Sequence, residues 1–91
     1  MQINYEELGE KLEGLSGLDY RNARKNFMAK NKDFVGLLNI NSDFQIEIAA
    51  IALGENANDL TNLPLKKYVR LCNFVQRFLL NNSDEEETAA S

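Results

Sequence analysis

The segment 44-FQIEIAAIALG-54 constrains this chain more than any other. Only Gln45 and Glu47 are polar within it, so a helix made of these residues has almost no face to give to water. Such a helix has to be surrounded by protein, which makes it the expected centre of the fold. Ala49, Ala50 and Ala52 let neighbours approach closely. Ser42 or Asp43 can cap its start, and Gly54 stands where a helix-ending glycine belongs. The rest of a 91-residue chain, enough for one small domain, must wrap it.

The flanking segments supply the wrapping. From Asn4 to Leu15, Tyr5, Leu8, Leu12 and Leu15 recur at spacings of three and four. That pattern predicts a short amphipathic helix, interrupted at Gly9 and ending near Gly14 or Gly17. Ser16 with Asp19 three residues later predicts a capped second helix, with Tyr20, Ala23 and Phe27 on one face and Met28 beside them. The segment 33-DFVGLLNINSDF-44 reads as a loop that inserts Phe34, Val35, Leu37, Leu38 and Ile40 into the core; a β-hairpin lacks a second strand to pair with. A polar connection, 55-ENANDLTN-62, leads to Leu63-Pro64, where proline suits a first helical turn. The segment 83-SDEEETAAS-91 has no apolar period and four consecutive acids, and is expected to be disordered. The expected fold is all-α, a small bundle of three to four helices over residues 1–82 with an acidic tail over 83–91. Phe44, Ile48, Ile51, Val75 and Leu79 are its expected centre.

The last helix, 64-PLKKYVRLCNFVQRFLL-80, carries more apolar surface than a monomer can cover. At 100° per residue its apolar positions sweep roughly 240°, against about 100–140° for an ordinary surface helix. Val75, Tyr68, Leu79, Cys72 and Leu65 form the middle; Leu71, Phe74 and Phe78 extend one edge, and Val69 and Leu80 the other. A chain this short cannot enclose two helices, so one edge is expected to meet a partner. The edge with Leu71, Phe74 and Phe78 is the expected contact, because aromatic rings dominate interface energetics. Self-association through it is expected.

Few other functions find residues to carry them. Histidine is absent and Cys72 is the single cysteine, which leaves no zinc set, no internal disulfide and no nucleophile–imidazole pair. Cys72 sits in an apolar run and reads as a small buried hydrophobe. The five glycines are scattered, so no phosphate loop forms, and the acids do not follow calcium-loop spacing. No catalysis, cofactor or metal is expected. Glu6, Glu7, Glu10 and Glu13 read as a water-facing helix side. No stretch reaches the roughly 20 apolar residues of a membrane span, and the acidic start lacks the features of a signal peptide. A cytoplasmic protein is expected. Half of the ten basic residues fall in residues 21–32, with Arg21, Arg24 and Lys25 as the exposed candidates beside Tyr20 and Phe27. This is a solvated face or, as an alternative, the surface of a small nucleic-acid-binding regulator. The net charge of −4 disfavours nucleic acid.

The order of a short acidic start, then 43-DFQIEIAAIALG-54, then 63-LPLKKYVRLCNFVQRFLL-80 resembles the tail assembly chaperones of long-tailed bacteriophages of Gram-positive hosts. Ala52, Leu53 and Gly54 match the end of the family's apolar helix. Leu63, Pro64, Lys66 and Tyr68 match the opening of its last helix. About 40 residues carry the likeness well, and the motifs are structural. The resemblance implies a small all-helical, self-associating protein of the host cytoplasm. It implies that the chain binds and solubilises the tape measure protein, helps recruit tail tube subunits, and is absent from the mature virion. A head–tail joining protein is a further alternative.

Overall fold

In a computed structural model the chain is described over residues 2–90, with the side chains of residues 2–80. The expectation for the acidic segment 83–91 falls on side chains outside this set. Among the described residues the fold is all-helical: α1 (Tyr5–Glu13), α2 (Gly17–Lys30), a single 3-10 turn (Leu38–Ile40), α3 (Ser42–Leu53), α4 (Ala57–Thr61) and α5 (Leu65–Ala90).

Local chemistry sets the helix ends. Asn4 Oδ1 accepts from the Glu7 amide at 3.1 Å and starts α1. Ser16 and Asp19 form a reciprocal capping box: the Asp19 amide donates to Ser16 Oγ at 3.2 Å, and the Ser16 amide to Asp19 Oδ2 at 2.9 Å. The cap of α3 is Asn41, one residue before the expected Ser42 or Asp43. Its backbone is extended, and its Oδ1 accepts from the Phe44 amide at 3.1 Å. At the other end Gly54 adopts a left-handed φ of 67°. The Gly54 amide then reaches Ile51 O and the Glu55 amide reaches Ala50 O, which closes a Schellman turn.

α3 is the centre, as its composition requires. Residues 44–50 are all buried, and α1, α2, α4, α5 and the 3-10 turn each pack against it. Phe44 sits edge-on to Tyr20 and Phe27, with ring centroids 5.2 Å and 6.1 Å away, and Phe27 is edge-on to Phe34. The expected centre holds Phe44, Ile48 and Val75 fully buried, with Ile51 and Leu79 packed at its margin.

Three expectations need correction. Gly9 does not interrupt α1; the helix runs through it, because a missing side chain costs one position about 1 kcal/mol and the neighbours Leu8 and Leu12 are anchored in the core. The 55–62 connection contains a helix: Asn56 caps α4 through the Asn58 amide, and α4 buries Leu60 completely. Of the five apolar side chains expected to enter the core from the 33–44 segment, only Phe34 and Leu38 pack against it, while Val35, Leu37 and Ile40 stay exposed.

Candidate partner-binding surface

The wide apolar arc of α5 is divided by what packs on it. Leu71 and Val75 are fully buried and Cys72 nearly so; Tyr68, Phe74, Phe78 and Leu79 pack at the core margin. α1 covers the Phe74 edge. The Tyr5 and Phe74 ring centroids lie 5.1 Å apart, and a Cβ on Gly9 would meet Phe74 Cζ at 3.6 Å. Of the expected contact edge, Leu71 is taken up inside the monomer, while Phe74 and Phe78 pack at its margin and stay partly exposed. Leu71 is 0% exposed and has no surface to offer a partner. Phe74 is held by α1, and Phe78 is half-buried. A helical wheel gives the width of an arc but not its covered side, and α1, with two fully anchored leucines, decides the side here.

The free edge is the opposite one. Leu65 is 76% exposed and Val69 45%, and Leu80 is exposed one end further on. At 100° per residue these three fall within about 60°, with Gln76 among them. The 3-10 turn lies against α5 on this side and adds Ile40, 54% exposed, and Leu37, 73% exposed.

A buried amide fixes the two pieces together. Gln45 on α3 is 1% exposed, and its Nε2 donates both to the Asn39 carbonyl at 2.8 Å and to Gln76 Oε1 at 3.0 Å. Both of its N–H groups are thereby used. The Tyr20 hydroxyl donates to Asn39 Oδ1 at 2.8 Å, so α2 grips the same residue. The turn that carries Ile40 is clamped between α2, α3 and α5. In the sequence Val69 and Leu80 mark this edge of the arc, but nothing in the pattern around Gln45 indicates that its amide ties the Asn39 turn to α5.

The basic segment has a different character. Arg21, Arg24 and Lys25 are exposed on α2, but Phe27 is buried and the Tyr20 hydroxyl is committed to Asn39. The two rings read beside these cations face inward and are not available to stack on bases. Lys30 turns aside to Glu47, Nζ to Oε2 at 2.7 Å. The pair borders a groove of about 450 Å³ among α2, α3 and α4, lined also by Ala29, Ala50 and Ala57. The Glu47 side chain is 9% exposed and that of Lys30 54%. Lys30→Ala strands the carboxylate, yet solvent at the lysine end weakens the pair, so the expected loss is about 1–2 kcal/mol. Lys30→Met with Glu47→Leu should recover most of it, because the unpaired charge is gone. Urea unfolding midpoints check both; an unchanged midpoint for Lys30→Ala would remove the pair as a stabilising contact.

Cys72 is packed beneath α3, with Sγ 3.9 Å from the Ser42 carbonyl, and burial pushes its thiol above the ordinary range. A protonated, covered sulfur is a packing residue. Comparison with protein-family models, with characterised proteins and with solved structures found no match to this chain.

Proposed function

We propose that this protein is a binding protein of the tail-assembly-chaperone type, which holds an apolar helix of a client in solution. In this reading the client is the tape measure protein of a long-tailed phage, and tail tube subunits are a later partner. The protein works in the host cytoplasm, does not remain in the virion, and associates with its own copies. The observation that carries the reading is the unpartnered aliphatic edge of α5 beside an equally exposed 3-10 turn. Large exposed aliphatic surfaces on a small chain mark partner sites. The segment likeness over residues 43–54 and 63–80 supplies the identity of the client.

Co-expression tests it. The tape measure protein is produced with and without this chain, and its soluble fraction is measured. The client should be soluble with the chain, and should precipitate alone and with Ile40→Asp plus Val69→Asp. Equal solubility in the absence of the chain would end the chaperone reading. Finding the chain in purified particles by mass spectrometry would favour a joining protein instead.

A further inference from the structure

We propose that the exposed edge of α5, formed by Leu65, Val69 and Leu80, docks an amphipathic helix of another protein that carries acidic residues along one side of its apolar stripe. The inference rests on the partner-binding reading above and adds the chemistry of the partner.

The charge distribution carries it. The whole chain has a net charge of −4, yet residues 65–80 contain Lys66, Lys67, Arg70 and Arg77 and no acid. Three of these keep register with the exposed edge: Lys66 follows Leu65, Arg70 follows Val69, and Arg77 follows Gln76. A basic row therefore runs beside the apolar row, displaced by about 100° around the helix. A shallow depression of about 430 Å³ lies over the N-terminal part of this face, lined by Leu65, Lys66, Val69, Arg70, Asn73 and Arg77, and stops short of Leu80. Among the described residues neither Lys66 nor Arg77 has an ion pair; the pairs formed are Lys11–Glu7 and Lys30–Glu47. Arg70 is oriented by Tyr5, with its guanidinium 4.7 Å from the ring centroid.

Length and symmetry narrow the occupant. Leu65 to Leu80 spans about 22 Å at 1.5 Å per residue, a match for a helix of about four turns. Helix-in-groove recognition reads an apolar stripe at spacings of three and four, and the flanking charge selects among such helices. Two copies of this chain pairing α5 antiparallel about a two-fold axis would bring the same flank of each helix together. Their basic rows would then face one another and repel. A helix with glutamates or aspartates on that flank meets the row with opposite charge.

The test uses the full chain and two synthetic helical peptides with one apolar pattern. One bears glutamates along a flank and the other lysines. Fluorescence anisotropy at about 0.1 M salt should show the glutamate peptide binding about tenfold or more tighter, a gap that largely closes near 1 M salt, where screening reaches about 3 Å. Lys66→Glu with Arg77→Glu should reverse the preference, and Val69→Asp should abolish binding of both peptides. Equal affinities that are both lost in Val69→Asp would overturn the acidic-partner chemistry and leave partner binding at this edge standing. Binding of neither peptide, with light scattering falling from oligomer to monomer in Val69→Asp, would assign the edge to a second copy and overturn the proposal. Binding unaffected by Val69→Asp would overturn it as well.

Discussion

Leu71→Asp is expected to leave the chain unfolded, whereas Val69→Asp, two residues earlier on the same helix, is expected to keep the helical circular dichroism signal. Leu71 has no exposed surface, so a carboxylate there has neither water nor a partner. Truncation alone, as in Leu71→Ala, removes about 2–5 kcal/mol. A chain of 91 residues has in total about 5–14 kcal/mol, so an added buried charge exhausts it. Val69 is 45% exposed, and an exposed substitution between residues of similar helix propensity stays within about 0.5 kcal/mol. Leu71→Ala provides a graded control, with a melting temperature lower by roughly 10–30 °C. The contrast tests which edge of α5 the body covers. If Leu71→Asp folds and Val69→Asp does not, the covered and free edges are reversed. If both fold with unchanged melting, neither edge belongs to the core.

The contrast also marks how far the sequence could be read. Strong periodic signals with local chemistry were legible: the apolar centre of α3, the Ser16–Asp19 box and the Gly54 stop are each set within a few residues, and each has the expected place and role. The width of the α5 arc was legible too. Its covered side was not, because that depends on where α1 lands, and Gly9 gave no sign that its bare backbone would face Phe74. In α4 one leucine in a polar stretch is enough to pin a short helix, and composition averages such a residue away. The loop was misjudged for a related reason. Val35, Leu37 and Ile40 are apolar, but the backbone path through this loop and its 3-10 turn leaves them exposed, and of its expected core side chains only Phe34 and Leu38 pack inward. Apolar content says that a residue would gain from burial; only the backbone path says whether burial is open to it.

Gln45→Leu is expected to cost about 2–3 kcal/mol although it makes the central helix more apolar. The leucine fills similar space, so the loss comes from hydrogen bonding. Two bonds of about 1 kcal/mol each disappear, and the Asn39 carbonyl is left half-buried without its donor. Gln76 is less exposed to this penalty, because its amide is only partly covered and can turn to water. Gln76→Leu alone should therefore cost about 1 kcal/mol, and the double substitution less than the sum, with a coupling of at least about 0.5 kcal/mol. The local consequence is more specific than the global one. The Asn41 amide donates to the Leu38 carbonyl at 2.9 Å and closes the 3-10 turn, so its hydrogen exchange reports whether that turn stays formed. In Gln45→Leu the Asn41 amide should exchange faster than the global stability accounts for, while amides in the middle of α2 follow the global loss alone. Binding at the α5 edge should weaken in parallel, because the turn that carries Ile40 is no longer tied through Gln45 to Gln76 of α5. Unchanged Asn41 protection together with an unchanged melting temperature would mean that the turn is fixed by Leu38 packing and the Tyr20–Asn39 bond, and that the buried amide is not what joins the two halves of the exposed surface.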